Sequence, residues 1–153
     1  MYRIGTGFDV HAFKKGNKLI LCGVEIPFSK SLKGHSDADV ALHALTDAIL
    51  GALSLGDIGR WFPDNDPLWR DARSEIFLKK ALGLMNDRKF LISNIDMTII
   101  CQRPRISEFH ELLTKNVSKI CMIKEDIINI KGTTTETLGF TGREEGIASL
   151  CSV

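Results

Sequence analysis

Residues 35–53 read HSDADVALHALTDAILGAL, and this stretch predicts a helix against which the other elements of the chain pack. Ser36 is a residue type that caps helix N-termini, and Asp37 and Asp39 would place carboxylates in the first turn, where they complement the helix dipole. Gly51 lies near the predicted end. At about 100° per residue, the apolar arc is wider than one packing partner needs, so we expect the helix to be covered on two sides. Its inner face comprises Ala41, Leu45, Ala48, Ile49 and Ala52.

A polar stripe interrupts the apolar surface of this helix. Helical projection places it at Asp39, His43, Thr46 and Asp47. One interpretation is that His43 is a core histidine with a hydrogen-bond partner. The other is a metal site, because Asp9 and His11 would point to the same side of a strand near the start of the chain. With His43, these residues would supply the three oxygen and nitrogen ligands of a zinc site that keeps one position open.

The composition favours one domain, residues 1–153, with a hydrophobic core and no strong charge field. Lysine and arginine number 20 against 19 acidic residues, a net charge of +1, which predicts no nucleic-acid partner. No apolar run reaches the roughly 20 residues that span a bilayer, so we expect no membrane partner and a cytoplasmic location. The cysteines are scattered, which predicts reduced and mostly buried thiols. They are Cys22, Cys101, Cys121 and Cys151.

The rest of the chain mixes strand and helix patterns, which predicts an α/β or α+β fold. Strands are predicted over residues 2–12, 18–22, 24–28, 90–101, 127–131 and 146–151, of which 18–22 and 24–28 form a hairpin. Helices are predicted over residues 74–86 and 106–120. Ser74 would cap the first of these helices. In the second, Phe109 and Leu112 would be buried and His110 would lie on the surface.

Two loops admit both a structural and a functional interpretation. Residues 54–67 are rich in Gly, Pro and Asp, and they form either an ordinary solvated connection or, through their aromatic side chains, the wall of a polyol pocket. In residues 132–136, the threonines either continue a strand or, after Gly132, form a phosphate-binding turn. In the second case Glu136 would add an oxygen ligand for a hard cation. Composition alone favours neither interpretation.

Four motifs occur in order along the chain. They are Gly5-x-Gly-x-Asp9-x-His11, His35-Ser36-Asp37-x-Asp39-x-x-x-His43, Gly56-Asp57-Ile-Gly59 and Thr133-Thr134-Thr135-Glu136. With these motifs the chain closely resembles the 2-C-methyl-D-erythritol 2,4-cyclodiphosphate synthase family of the non-mevalonate isoprenoid pathway. The likeness extends from about Arg3 to Leu150. Each motif alone is weak, but the ordered set is highly specific.

The resemblance implies a mixed β-sheet with helices packed on it, in a homotrimer around a central axis with active sites between subunits. It also implies a nucleotide substrate, 4-diphosphocytidyl-2-C-methyl-D-erythritol 2-phosphate. The 2-phosphate would attack the β-phosphate, releasing CMP and forming a cyclic diphosphate. Zinc, or another divalent transition metal, would bind at Asp9, His11 and His43. Magnesium or manganese would bind with the diphosphate near Glu136.

The same resemblance assigns the other site residues. His35 and Thr134 match positions assigned to transition-state stabilisation. The methylerythritol pocket would contain Ser36, Asp57, Ile58, Gly59, Phe62, Asp64 and Asp66. Cytidine and its phosphates would contact Cys101, Pro104, Arg105, Ile106, Thr133 and Thr135. Phe140 and Arg143 match positions near the trimer axis, where the family can hold a prenyl diphosphate.

The chain departs from the family pattern at a few positions. Arg103 and Arg105 make the pyrimidine loop more cationic, and Gly132 replaces a common alanine, which predicts a looser turn. The last strand ends at Val153, earlier than in many relatives, which bears on packing at the trimer axis. We also expect no fused cytidylyltransferase domain, because 153 residues leave no room for one.

Two other functions fit the same metal ligands. A zinc hydrolase would use the open position to activate water and would need a base beside that water. A non-catalytic trimeric module would bind metal or an isoprenoid diphosphate without turnover. The threonine turn and the pyrimidine-type loop favour the synthase, because they suit a nucleotide leaving group.

Overall fold

The computed structural model describes residues 1–63 and 65–153. Strands in these ranges are β1 Thr6–Lys15, β2 Lys18–Leu21, β3 Val24–Pro27, β4 Lys30–Leu32, β5 Ile95–Ile100, β6 Ile128–Thr133 and β7 Gly146–Ser152. Helices are α1 Val40–Ala52, α2 Ile58–Trp61, α3 Ser74–Asp87, α4 His110–Cys121 and α5 Gly139–Gly142. Short 3₁₀ turns cover Pro67–Trp69, Ile106–Glu108 and Glu125–Ile127.

Five of the strands form one mixed sheet in the order β4-β1-β7-β5-β6. Strands β5 and β6 pair in parallel, and the other neighbours pair antiparallel. Strands β2 and β3 form a separate antiparallel hairpin, as the sequence predicted. The expected mixed sheet with packed helices, an α+β fold, is therefore confirmed.

Strand β1 and helix α1 approach each other closely because the chain has glycines where they meet. A methyl group on Gly7 would overlap the backbone of Ala44, and one on Gly5 would overlap the backbone of Ala48. The absence of side chains at these two positions lets the helix lie directly on the strand. This contact brings the residues that follow Gly7 on β1 within reach of the first turns of α1.

Helix α1 is covered on two sides, as its wide apolar arc predicted. It packs on β1 and β7 of the sheet and, on another side, against α3. Most of its side chains are therefore removed from water. The buried residues are Val40, Ala41, Leu42, Ala44, Leu45, Thr46, Ala48, Ile49 and Leu50.

The predicted start of α1 at Ser36 is wrong. The helix begins at Val40, and Asp39 is its N-cap because its side chain accepts a hydrogen bond from the backbone N–H of Leu42. The carboxylate of Asp39 also accepts hydrogen bonds from the backbone N–H groups of Cys22 and Gly23 in the β2–β3 turn. Asp39 is therefore a buried link between the hairpin and the helix.

Other element boundaries also differ from the predictions. Helix α3 does begin at Ser74, but its N-cap is Arg73 and Ser74 is not the capping residue. The predicted long strand 90–101 is limited to β5, and β4 was not predicted. The predicted helix 106–120 is divided into a 3₁₀ turn and α4, in which His110 is exposed as expected. Leu112 is 51% exposed, so its predicted burial is wrong.

All four cysteines are buried and unpaired, as expected for reduced thiols in a core. Within residues 1–63 and 65–153, every helix is too short or too polar to cross a bilayer.

Candidate metal centre and adjoining cavities

Strand β1 and helix α1 supply the three side chains of a candidate metal centre. Asp9 and His11 alternate with Val10 along β1, so both point toward α1, and His43 lies in the first turn of that helix. Asp9 Oδ2 lies 3.0 Å from His11 Nε2 and 3.0 Å from His43 Nδ1. The two histidine nitrogens are 3.1 Å apart. The structure thus brings together the three residues that the sequence pattern singled out as metal ligands.

The spacing of these three atoms fits a tetrahedral metal ion. Ligand atoms that bind zinc at about 2.0–2.1 Å lie roughly 3.3 Å from one another along each edge of a tetrahedron. The three separations here are 3.0, 3.0 and 3.1 Å, so the atoms outline one face of such a tetrahedron. One carboxylate and two imidazoles form a donor set that suits zinc with a fourth position left open. The geometry favours the metal interpretation of His43 over the core-histidine one.

The three side chains also shift the pKa values of Asp9 and His11. Burial raises the pKa of Asp9, but hydrogen bonds with His11 and His43 outweigh burial and hold this pKa well below its ordinary value. Burial lowers the pKa of His11, whereas the hydrogen bond and charge of Asp9 raise it more. His11 Nδ1 lies 2.9 Å from the carbonyl oxygen of Lys33, to which it donates when Nε2 is the ligand atom. Asp9 is therefore held as a carboxylate, the form that binds metal.

The second ring nitrogen of His43, Nε2, faces two serine hydroxyls. It lies 2.8 Å from Ser74 Oγ and 3.2 Å from Ser36 Oγ. Ser74 in turn contacts the carboxylate of Asp37 through both its hydroxyl and its backbone N–H. The sequence predicts Ser74 only as a helix cap, and its contact with His43 was not predicted. Serine and aspartate are recognisable in the sequence as residue types that cap helices, but the sequence does not show which group each side chain binds.

A cavity of about 510 Å³ opens beside the metal centre. Besides the metal triad, five residues predicted for catalysis or substrate binding line it, namely His35, Ser36, Ile58, Gly59 and Phe62. Lys33, Trp69 and Phe77 also line the cavity, and sequence reasoning missed them. The ring centroids of Phe62 and Phe77 are 4.5 Å apart, and that of Trp69 is 5.0 Å from Phe62. These rings form an aromatic wall, which supports the pocket interpretation of residues 54–67.

Three carboxylates in α1 and in the segment after it accept hydrogen bonds from backbone N–H groups. Asp47 Oδ1 accepts a hydrogen bond from the first N–H of α2 at 2.7 Å and so ties α2 to α1. Asp57 and Asp66 are exposed, and each accepts a hydrogen bond from a backbone N–H in the turn that follows it. Neither belongs to the described lining of the cavity. Asp64, also predicted to bind substrate, lies outside the described residues.

A second cavity, of about 720 Å³, opens where the loop after β5 meets the end of β6. A backbone hydrogen bond of 3.0 Å joins these segments, from Cys101 N–H to the carbonyl of Thr133. A Cβ on Gly132 would lie 2.7 Å from Cβ of Ile106, so the glycine permits tight packing, which argues against the looser turn expected there. Predicted nucleotide-binding residues in the lining are Cys101, Pro104, Arg105, Ile106 and Thr133, and Thr134, predicted to stabilise the transition state, also lines it.

Besides Asp57 and Asp66, four other predicted site residues lie outside both cavity linings, namely Thr135, Glu136, Phe140 and Arg143. Glu136 Oε1 accepts a hydrogen bond of 2.9 Å from Thr134 Oγ1, but Glu136 does not belong to the described cluster of metal ligands. Arg143 forms an ion pair of 2.8 Å with Glu145. Among the described residues the two cavities share no lining residue. In one chain the candidate metal centre and the pyrimidine-type loop therefore lie at two separate cavities.

The fold and the site define a class of protein in which a mixed sheet and a buried helix hold a candidate metal centre beside an aromatic-walled cavity. The family model that matches is that of the YgbB family, over residues 2–153. The chain belongs to this family.

The relatives and solved structures agree with this assignment. The 2-C-methyl-D-erythritol 2,4-cyclodiphosphate synthase of Bacillus cereus is 52% identical over 149 residues, 97% of this chain and 94% of that protein. The bifunctional enzyme IspD/IspF of Dinoroseobacter shibae is 51% identical over 151 residues, 99% of this chain but 38% of that protein. The chain thus spans about two fifths of such bifunctional relatives. A solved CDP complex of Plasmodium falciparum IspF has a TM-score of 0.86 at 37% identity, covering 98% of this chain and 92% of that one.

Proposed function

We propose that residues 1–153 form a cyclodiphosphate synthase domain of isoprenoid precursor biosynthesis. It would convert 4-diphosphocytidyl-2-C-methyl-D-erythritol 2-phosphate to 2-C-methyl-D-erythritol 2,4-cyclodiphosphate and CMP. The observation that carries this proposal is the Asp9, His11 and His43 triad beside a cavity in a chain of the YgbB family. The Bacillus cereus relative, which matches this chain over nearly its whole length, is named as this synthase.

The proposed reaction is an intramolecular phosphoryl transfer. A bond forms between an oxygen of the 2-phosphate and the β-phosphorus, while the bond from the β-phosphorus to the oxygen of departing CMP breaks. A phosphate nucleophile is already anionic near neutral pH, so no strong general base is needed. The obstacles are repulsion between phosphates and the in-line geometry of attack. When bound, zinc or another divalent transition metal at the triad, with magnesium or manganese near Glu136, supplies the neutralising charge.

Side chains around the metal centre, together with Thr134 of the second cavity, would hold the substrate, and those around the metal centre would also exclude water. His35 and Thr134 are proposed to donate hydrogen bonds to phosphate oxygens as negative charge redistributes in the transition state. The methylerythritol portion would be bound by Ser36, Ile58, Gly59 and Phe62, with Asp57, Asp64 and Asp66 at the edge of this site. The wall of Phe62, Trp69 and Phe77 supports this role, because apolar rings limit the water that would otherwise hydrolyse the diphosphate.

The second cavity is proposed to bind the nucleotide. Its lining includes residues 101–106, among them Arg105, together with Thr133 and Thr134. Backbone groups of a loop can recognise the edge of a pyrimidine, and an arginine with hydroxyls suits phosphate oxygens. Thr135 would complete this turn. The CDP in the Plasmodium falciparum structure supports a cytidine nucleotide as the ligand class.

The outer face of the sheet supports a homotrimer with shared sites. Phe8, Val10 and Leu150 are 56%, 38% and 40% exposed, and Phe8 lies directly opposite Leu150 in the β1–β7 pair. Copies of the chain packed on this face would bury an apolar patch. They would also allow the metal centre of one copy to meet the pyrimidine-type loop of another. Phe140 and Arg143 are proposed to lie near the resulting axis, where a prenyl diphosphate would bind.

Phosphorus NMR of the zinc-loaded protein, incubated with this substrate and magnesium, tests the proposed reaction. We expect signals of CMP and of a cyclic diphosphate to appear together. CMP with an open-chain diphosphate would identify water as the nucleophile and favour a hydrolase. Binding without turnover would identify a non-catalytic module instead.

A further inference from the structure

We infer that Ser74 and Asp37 are positioning residues for the metal ligand His43. They hold its imidazole in the tautomer and orientation that direct Nδ1 toward Asp9 and His11. This inference rests on the proposed metal centre and goes beyond its three ligands. It gives a function to a serine that the sequence marks only as the start of a helix.

The two ring nitrogens of His43 face different partners. Nδ1 lies 3.0 Å from Asp9 Oδ2 and 3.1 Å from His11 Nε2, so it is the atom that can bind a metal shared with them. Nε2 points the other way and lies 2.8 Å from Ser74 Oγ. An imidazole that binds metal through Nδ1 carries its hydrogen on Nε2. Nε2–H must then donate, and Ser74 Oγ must accept.

Asp37 fixes the direction of the Ser74 hydroxyl. The hydroxyl contacts Asp37 Oδ1, and the backbone N–H of Ser74 donates to Asp37 Oδ2 at 3.1 Å. A carboxylate accepts hydrogen bonds and cannot donate them, so the hydroxyl hydrogen points to Asp37. The lone pairs of Ser74 Oγ are then free to accept from Nε2–H. The result is a directed chain from imidazole to hydroxyl to carboxylate, the kind of outer contact that orients metal-binding histidines.

Ser74 and Asp37 are themselves held in place by the surrounding structure. Ser74 is fully buried, at the first residue of α3. The backbone N–H of Asp37 donates to the carbonyl of Ala72 at 3.0 Å, which ties the segment before α1 to the segment before α3. Ser36 Oγ is also 3.2 Å from Nε2, but it accepts from the backbone N–H of Ala38 and has no described contact with a carboxylate. The rigid partner of Nε2 is therefore Ser74.

A purely structural role makes a different prediction from a positioning role. If Ser74 and Asp37 only join α3 to the segment before α1, their replacement lowers the free energy of unfolding and leaves zinc affinity unchanged. If they orient His43, zinc affinity falls even where the variant is fully folded. Loss of such outer contacts typically lowers metal affinity roughly 10- to 100-fold.

The test is the zinc dissociation constant of the folded protein, measured by competition with a chromogenic chelator. Ser74→Ala should raise this constant roughly 10- to 100-fold, and Asp37→Asn should raise it roughly tenfold. Ser74→Thr keeps the hydroxyl and should restore most of the affinity. Ser118→Ala is a matched control, because Ser118 is a helical serine of α4 whose hydroxyl donates to the carbonyl of Ile123. It should leave zinc affinity unchanged.

The outcomes separate this inference from the proposed function. Absence of zinc binding by the unaltered protein would overturn the metal centre and this inference with it. Tight zinc binding by the unaltered protein, with an equal affinity in Ser74→Ala, would overturn the inference alone. Circular dichroism of each zinc-free variant confirms that the comparison is made between folded proteins. An equal loss in Ser118→Ala would also overturn the inference, since the effect would then be general destabilisation.

Discussion

His43 is the residue at which strand β1 and helices α1 and α3 meet. One ring nitrogen faces Asp9 and His11 on β1, and the other lies 2.8 Å from the hydroxyl of Ser74 on α3. Removing this imidazole therefore removes both a metal ligand and a contact between two helices. Asp9 and His11 alone would leave a metal ion with two protein ligands, too few for a stable site.

His43→Ala should abolish stoichiometric zinc binding and reduce cyclase turnover at least roughly 100-fold, since the charge that stabilises the transferring phosphate is lost. Elemental analysis measures the zinc, and release of CMP measures turnover. His110→Ala is the control, because His110 is exposed on α4 and should retain both zinc and activity. Unchanged zinc content in His43→Ala would refute its assignment as a ligand.

Asp39 makes the folded protein sensitive to pH. Burial raises its pKa to about 6, against the lowering effect of hydrogen bonds from backbone N–H groups, whereas the reference value is 3.8. Between about pH 4 and pH 6 the folded protein therefore keeps a proton that the unfolded chain has released. The free energy of unfolding should fall as pH rises through this window, because the unfolded state binds fewer protons.

Asp39→Asn should remove this component of the pH dependence. The difference in free energy of unfolding between the two proteins should change by up to about 3 kcal/mol between pH 4 and pH 6, since each pKa unit corresponds to about 1.4 kcal/mol. Urea denaturation of the zinc-free proteins at several pH values measures it. Asp47, whose pKa burial also raises, is present in both proteins and cancels in the comparison. A difference that is constant over this range would contradict the prediction.

The residues of the site were predictable to different degrees, for a physical reason. Asp9 and His11 are two positions apart, so strand geometry alone places them on one side, and His43 adds the third ligand. Ser74 and Phe77 reach the same site from a helix that starts 31 positions after His43, and no local periodicity encodes that contact. A serine can cap a helix or bind another side chain, and only the tertiary contacts decide which of these roles it has.

The contact between β1 and α1 depends on a strand without side chains at the crossing points. Gly7→Ala should lower the free energy of unfolding by more than about 2 kcal/mol and weaken zinc binding, because the added methyl group forces α1 away from β1. Gly83→Ala is a matched control within α3, where the added methyl group meets nothing within 4 Å. It should raise stability by roughly 0.5–1 kcal/mol. Thermal denaturation and zinc titration measure both effects, and equal stability changes would contradict the prediction.

The start of α1 shows why helix boundaries are harder to predict than helices. Ser36, Asp37 and Asp39 are all good capping residues, and the sequence offers no reason to prefer the last. The choice is made by contacts elsewhere, since Asp37 binds Ser74 while Asp39 binds the β2–β3 turn as well as α1. The helix itself was predictable from its apolar pattern, and its first residue was not.

The whole molecule presents an apolar sheet face that the proposed trimer covers. Phe8→Glu should convert the trimer to monomers, because assembly would bury an unpaired charge from each copy. Turnover should fall with the trimer, whereas zinc binding within each chain should persist. Sedimentation velocity and elemental analysis measure the two properties. Leu91→Glu, at an 87% exposed position elsewhere on the surface, is the control and should remain trimeric. A fully active monomer would contradict shared sites.

The pairing of β1 with β7 has a consequence for how the protein folds. The strand that bears Asp9 and His11 pairs with residues 146–152, and Gly5 and Val153 exchange two backbone hydrogen bonds. Contacts between such distant parts of a chain form slowly, because a long loop must close first. We therefore expect the metal centre to be among the last features to form. In refolding experiments, zinc uptake should lag behind the appearance of helical structure, although β7 contributes no ligand.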